Sequence, residues 1–197
     1  MFPVPYNDAQ RLKSLESYKI LDTPTEEAFD HLTRLARAEF GTPFTMLSLV
    51  DSTRQWCKSR QGFDAVETPR DMAFCSHTIL SDEPLVILDA TRDARFRCSP
   101  LVCHKPGIRF YAGAPLINRE GLRLGSFCVM DTEACAGFPL EEVRELQDFA
   151  HFAMQLIEMR RPVEHMSLPT PEREHPAKGT FEPSLVFLTP KDRHWPH

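Results

Sequence analysis

Two apolar segments on either side of a three-residue turn constrain the fold most. Residues 109–118 and 122–131 are rich in apolar side chains, and the turn between them ends at Gly121. So short a connection joins antiparallel strands, and glycine suits the positive φ that such turns require. Residues 44–51 and 54–59 repeat the arrangement around a second tight turn. Two hairpins predict an antiparallel sheet.

Helical segments surround these strands. Residues 8–18 and 24–40 place apolar side chains at helical spacing, and residues 139–161 begin with acidic and end with basic side chains, which complements a helix dipole. Residues 72–80 predict a short helix and residues 84–90 a short buried strand. The predicted class is α+β, with the terminal helices on one sheet face and a pocket on the other.

The start of the second helix has a capping signal. Thr23 is the expected N-cap, Pro24 the first helical residue, and Glu26 the residue that closes a capping box.

The chain divides into three parts by composition. We expect an N-terminal helical segment at residues 1–17, one domain at residues 18–161, and a proline-rich, disordered tail at residues 162–197. Within the tail, residues 184–189 are apolar enough to add a strand or dock in a groove, although an unanchored tail is favoured.

Charge and hydropathy exclude several functions. A net charge of −5 argues against a nucleic-acid binder, and no apolar run approaches the length of a membrane span. The first ten residues lack the features of a secretory signal, so we expect a cytoplasmic protein whose six cysteines are thiols.

Cys75 and His77 are the residues best suited to catalysis or metal binding, and three interpretations of their role are open. They pack as core residues; they bind a metal with ligands from Cys98, Cys103 and His104; or Cys75 takes part in thiol chemistry. The spacing fits no zinc motif, so packing is favoured and no metal or cofactor is predicted.

The residues that carry a family resemblance lie in five segments: 20–36, 47–80, 89–96, 106–116 and 124–133. In this order they resemble a GAF domain of the subgroup found at the front of bacterial sensor histidine kinases and cyclases. The resemblance implies a five- to six-stranded antiparallel sheet in the order 2-1-5-4-3, a ligand cavity on one face, and frequent dimers through terminal helices.

One enzymatic branch of that family reduces free methionine-R-sulfoxide with cysteine thiols. Cys103 and Cys75 fall where two of its three cysteines sit, and Asp131 matches an acidic residue at a strand end. The third cysteine falls near Ala65, and the substrate-holding acid falls near Tyr111. A phenol cannot replace a carboxylate that binds an ammonium group, so the enzyme is the alternative and not the first choice. Bilin attachment is weaker still, because a serine separates Cys75 from the next histidine.

The expected ligand site lies on the pocket face of the sheet. Arg109 and Tyr111 share a strand face, and Trp56 stands on the second strand of the predicted sheet. The candidate ligand-binding residues are Trp56, Phe74, Cys75, His77, Arg109 and Tyr111.

The last helix has apolar side chains near heptad spacing at Val143, Leu146, Ala150, Ala153 and Ile157. We expect part of this apolar surface to mediate a homodimer, and a separate output protein to receive the signal. The preferred function is a non-catalytic sensory domain for an unidentified small molecule. The alternatives are a sulfoxide reductase relative and a ligand-free dimerisation module.

Overall fold

The computed structural model of the protein describes residues 3–160. Its elements in chain order are α1 (Asp8–Ser17), α2 (Glu27–Phe40), β1 (Phe44–Val50), β2 (Arg54–Gln61), β3 (Glu67–Pro69), α3 (Cys75–Thr78), β4 (Leu85–Ile87), α4 (Pro100–Cys103), β5 (Phe110–Ile117), β6 (Arg123–Asp131) and α5 (Leu140–Arg160). The predicted tail at 162–197 lies outside the described residues. No helix within residues 3–160 is both long and apolar enough to cross a membrane.

The six strands form one antiparallel sheet in the order β3-β2-β1-β6-β5-β4. The predicted α+β class is confirmed. When the three-residue edge strand β3 is set aside, the other five strands follow the expected order 2-1-5-4-3. Gly121 has φ of +74° in the turn between β5 and β6, as the hairpin requires.

The helices α1, α2 and α5 cover one face of the sheet. Their apolar side chains pack with alternate strand residues such as Leu47, Phe110 and Phe127. α1 contributes Leu15 to this cluster. α1, which belongs to the predicted N-terminal segment, therefore packs against the core of the predicted domain.

The start of α2 differs from the prediction. The N-cap is Glu26 rather than Thr23, and the first helical residue is Glu27. Thr23 instead accepts a hydrogen bond from the Lys58 ammonium at 2.9 Å, and the Pro24 carbonyl accepts another at 2.7 Å. The buried lysine on β2 holds this segment in an extended form, so the helix starts later.

The opposite face is covered by α3, α4 and the loops between residues 88 and 109. Side chains from these segments form a second apolar cluster with Met46, Tyr111, Cys128 and Met130 of the sheet. The two clusters share no residue, because successive residues of a strand point to opposite faces.

Candidate functional site

The face of the sheet under α3 contains a small cavity. Its volume is about 10 Å³, close to the minimum for one water molecule. The lining side chains are Met46, Gln55, Phe63, Thr68, Phe74, Cys75, Leu101, Ile108, Tyr111 and Met130. Most of these groups are apolar, so the cavity suits an uncharged molecule.

Three stacked aromatic rings occupy the space beside this cavity. The Phe74 ring lies 4.5 Å from the Phe96 ring and 5.0 Å from the Tyr111 ring, and both pairs are nearly parallel. All three residues are buried. A ligand much larger than water must therefore displace side chains of the cavity wall, and Phe74 and Tyr111 of the stack belong to this wall.

Beneath the stack lies a buried hydroxyl–thiol cluster, formed by Ser48, Cys75, Thr78, Tyr111, Ser126 and Cys128, each at most 1% exposed. The Tyr111 hydroxyl lies 2.6 Å from the Thr78 hydroxyl and donates a 3.5 Å hydrogen bond to the Cys75 sulfur. The Ser48 hydroxyl donates to the same sulfur at 3.2 Å. The Cys75 and Cys128 sulfurs are 4.0 Å apart.

These contacts favour ionisation of one thiol over the others. Burial raises the pKa of Cys75, but hydrogen bonds from Cys128, Ser48 and Tyr111 outweigh it and lower that pKa to about 7. The hydrogen bond to Cys75, together with burial, raises the pKa of Cys128 well above its ordinary value. Burial raises the pKa of Tyr111, so its hydroxyl stays a donor. Cys75 is therefore the thiolate candidate and Cys128 its proton donor.

Tyr111 can lie along the sheet only because residue 113 is glycine. A Cβ atom at Gly113 would stand 2.1 Å from the Tyr111 hydroxyl oxygen and 2.8 Å from the Ser126 hydroxyl. The absent side chain thus makes room for the phenol that forms part of the cavity wall.

The structure brings together half of the predicted ligand-binding residues. Phe74, Cys75 and Tyr111 line the cavity. Trp56 was wrongly placed: its side chain packs in the helix-covered cluster, 6.0 Å from the Lys58 ammonium. Trp56 and Lys58 share that face, and Cys57 between them points to the cavity side.

Arg109 and His77 lie beside the cavity rather than in its wall. One nitrogen of the Arg109 guanidinium donates to the backbone carbonyls of Val102, Gly107 and Ile108, so this side chain holds the loop. The half-buried His77 ring packs edge-on against Phe96 at 4.6 Å. Burial and the nearby Arg95 guanidinium lower the pKa of His77, which keeps the imidazole neutral.

The residues of the reductase alternative are not assembled into one site. The exposed Cys103 thiol donates to the Arg97 carbonyl at 3.2 Å, whereas Cys75 is buried among the cluster described above. The Asp131 carboxylate accepts from the Glu133 amide in a turn after β6. Among residues 3–160, no group of three or more His, Cys, Asp or Glu side chains is placed to hold a metal.

A buried ionic link, which the sequence analysis missed, joins α3 to α1. The Ser76 hydroxyl donates to the Arg70 carbonyl at 2.6 Å. The Arg70 guanidinium donates to both carboxylate oxygens of Asp8, at 2.9 and 3.0 Å. Asp8 also accepts from Arg11, which is fully buried. Asp8 and Arg70 are 62 residues apart, so no local pattern indicates the pair.

The last helix presents two apolar stripes. Leu146, Ala150, Ala153 and Ile157 from the predicted dimer stripe are buried against the chain's own sheet and helices. A second set, here called the outer stripe, consists of Phe149, Phe152, Leu156 and Met159. Phe152 is 54% exposed and Met159 81%, whereas Phe149 and Leu156 are half-buried and also pack against the core. The set has heptad spacing. The predicted stripe is thus intramolecular core.

The sheet order, the terminal helices on one face and the short helix over a cavity on the other define a class of α+β sensory domains. The model of the GAF domain family matches residues 24–157, and the chain belongs to that family.

Known proteins extend this similarity. A cyclic di-GMP phosphodiesterase of Pseudomonas aeruginosa is 37% identical over 168 residues, which are 85% of this chain and 29% of that protein. The GAF domain of a phosphoenolpyruvate-protein phosphotransferase from Coxiella burnetii has a TM-score of 0.58 at 16% identity, covering 79% of this chain and 95% of that one. The free methionine-R-sulfoxide reductase of Neisseria meningitidis has a TM-score of 0.57 at 16% identity, covering 82% and 96%. At this identity the two structures support the fold alone.

Proposed function

We propose that this chain is a non-catalytic, cytoplasmic regulatory domain that detects a small molecule beside α3 and reports it through its terminal helices to a partner. The observation that carries this function is the buried link Ser76–Arg70–Asp8. It connects the helix over the cavity with the first helix of the domain, so a movement of α3 changes the contacts of α1.

The cavity favours a ligand that acts by rearrangement. Since the space is about 10 Å³, a larger molecule binds only by displacing side chains of the cavity wall, to which Phe74 and Tyr111 belong. Tyr111 is hydrogen-bonded to Thr78, the last residue of α3, so its displacement also disturbs that helix. Ligand binding then requires movement of α3. The ligand therefore binds the moved conformation more tightly and shifts the population towards it.

The separation of Cys103 from Cys75 weighs against sulfoxide reduction. A thiol that forms a sulfenic acid needs a second thiol within reach, and the exposed Cys103 contacts a backbone carbonyl instead. The match to a phosphodiesterase covers only 29% of that protein, so it does not assign the phosphodiesterase activity to this chain.

Hydrogen exchange tests the link between α3 and α1. Phe74→Leu enlarges the cavity without touching α1, and we expect faster amide exchange at residues 8–17. Repeated in an Asp8→Asn background, where the link is already broken, the same change should add little further exchange at α1. If Phe74→Leu leaves α1 unaffected, or if the two effects simply add, α3 and α1 are not coupled.

We further propose that two copies associate through the outer stripe of α5. Its heptad spacing and exposure fit a second copy of the same helix, and the family resemblance implies such dimers.

Light scattering tests this interface. We expect a dimer for the full chain and a folded monomer for Phe152→Glu. Leu80→Glu, an exposed leucine at the end of α3 on the opposite side of the sheet, is the matched control and should remain dimeric. A dimer in Phe152→Glu would contradict association through this stripe.

A further inference from the structure

Cys75 and Cys128 form a buried pair of thiols that the regulatory function does not yet use. Their sulfurs are 4.0 Å apart, whereas a disulfide bond is about 2 Å long. Rotation of one side chain, or a small shift of α3, closes a gap of that size. Cys75 is the first residue of α3 and Cys128 lies in β6, so a bond between them would fix the helix to the sheet.

The surroundings assign different roles to the two sulfurs. Ser48 and Tyr111 donate hydrogen bonds to the Cys75 sulfur, which stabilises a thiolate there. Cys128 is fully buried and lies within reach as a second thiol. A reactive thiolate with an adjacent resolving thiol is the arrangement that converts a sulfenic acid into a disulfide.

The Cys75 sulfur is accessible only to very small oxidants. Cys75 is 1% exposed, and the cavity beside it holds about 10 Å³. The half-buried side chains of Phe63 and Leu101 line the cavity, and we expect the route from solvent to pass between them. Hydrogen peroxide is small and uncharged and fits this route, whereas a disulfide such as oxidised glutathione does not.

We propose that Cys75 and Cys128 are an oxidation site at which hydrogen peroxide produces an intramolecular disulfide. The Cys75 thiolate attacks one peroxide oxygen; an S–O bond forms, the O–O bond breaks, and the departing hydroxide takes up a proton as water. Cys128 then attacks the Cys75 sulfur; the S–S bond forms, the S–O bond breaks, and hydroxide leaves with the Cys128 proton as a second water. Two thiols lose two electrons, and peroxide gains them.

Cys57 provides an internal comparison. It lies on the same sheet face and is also buried, but its sulfur is 3.8 Å from the Met46 thioether, and burial raises its pKa to about 12. The hydrogen bond from Gln55 and the charge of Arg60 do not offset this burial, so Cys57 stays a thiol and is expected to remain reduced under the conditions that oxidise Cys75.

The test uses the full chain with the exposed and half-buried cysteines Cys98, Cys103 and Cys135 replaced by serine. Trypsin then places Cys75 in residues 71–92 and Cys128 in residues 124–144, one cysteine in each peptide. After peroxide treatment and alkylation, we expect these two peptides linked within one chain, with loss of two of the three remaining thiols. Oxidised glutathione should give no linked peptide in the native protein, and dithiothreitol should restore both thiols.

Variants separate the two roles. When the peroxide-treated proteins are unfolded in urea that contains dimedone, Cys128→Ser should carry a dimedone adduct of the Cys75 sulfenic acid on residues 71–92, and Cys75→Ser should carry no adduct on residues 124–144. Circular dichroism verifies that both variants fold; if either does not, the linked peptide in the unmodified pair still decides. Absence of that peptide after peroxide treatment, or links only between chains, would overturn the assignment.

The chemistry of the pair is independent of signalling, whereas its effect on α1 rests on the function proposed above. Hydrogen exchange at residues 8–17 of the oxidised protein distinguishes a failure of the oxidation site from a failure of the proposed regulatory function. A disulfide with unchanged exchange at α1 contradicts the regulatory link and leaves the oxidation site intact.

Discussion

The two faces of the sheet are closed in different ways. On the helix-covered face, long helices pack apolar side chains such as Phe127 and Leu146 onto the strands. On the other face a four-residue helix and loops cover a cluster of hydroxyl and thiol groups, all buried. Apolar packing has no direction, while a hydrogen-bonded cluster fixes each partner, so the second face has fewer ways to adjust to a change.

This difference assigns folding stability mainly to one face of the sheet and the proposed response to a ligand to the other face. The helix-covered face carries most of the apolar burial that the fold needs. On the cavity face, displacement of the Tyr111 hydroxyl breaks several interactions at the same time, because this group contacts Thr78, Cys75 and Ser126. A ligand that binds at this face therefore moves the hydroxyl–thiol cluster as a whole rather than a single side chain.

The largest effect should come from the helix-covered face. Phe127→Ala removes a fully buried ring that stacks on Phe149 at 5.6 Å, and we expect a loss of about 3–5 kcal/mol in the free energy of unfolding. Urea denaturation measures it. At a protein concentration at which the chain is monomeric, Phe152→Ala, at a 54% exposed site on α5, should change stability by less than about 0.5 kcal/mol. Equal losses at that concentration would show that Phe152 is also core.

Asp8→Asn should cost about 3 kcal/mol, because two buried guanidinium groups lose their shared carboxylate. Burial raises the pKa of Asp8, but hydrogen bonds from Arg70 and Arg11 outweigh it and hold that pKa below 3.8. The contribution of Asp8 is therefore present above the unfolded pKa and is lost as the pH falls through the folded one.

Urea denaturation between pH 2 and 6 measures this dependence. The acid-side decline in stability should be shallower in Asp8→Asn than in the parent. Asp64→Asn, at an exposed aspartate, is the control and should retain the parent's slope. A slope unchanged in Asp8→Asn would exclude the carboxylate as the titrating group.

Tyr111→Phe tests the cavity face without changing its volume much. The Thr78 and Ser126 hydroxyls lose a partner in a buried site, so we expect a loss of about 1–3 kcal/mol. The same change at Tyr6, which is 95% exposed, should have no measurable effect on the melting temperature. A neutral Tyr111→Phe would mean that the cluster is satisfied in another way.

Ser48→Ala should have the smallest effect on stability, about 1 kcal/mol, but a specific effect on ionisation. It removes a donor to the Cys75 sulfur, so the pKa of Cys75 should rise above its value of about 7. Thiolate absorbance near 240 nm against pH, in a chain that retains only Cys75 and Cys128, measures the change. An unaltered titration would show that Ser48 does not stabilise the thiolate.

Sequence patterns were sufficient for the hairpins, the helices and the α+β class, because these depend on local periodicity and turn chemistry. The same patterns gave Phe74, Cys75 and Tyr111 as neighbours, since a short helix and an alternating strand limit where they point. Trp56 was misplaced because alternation defines two faces without saying which one the helices cover. Thr23 was misassigned because a lysine 35 residues away competes for it. Contacts of this range follow from the fold and not from any segment.

Gly113 has a consequence for how such a domain acquires new specificity. A methyl group at this position would collide with the Tyr111 hydroxyl 2.1 Å away, and the ring would have to swing out of the space it fills. Adding one carbon atom would thus move a phenol out of its present position, whereas a larger residue usually only fills a core. We expect a single substitution at this point of the chain to enlarge the cavity beside α3.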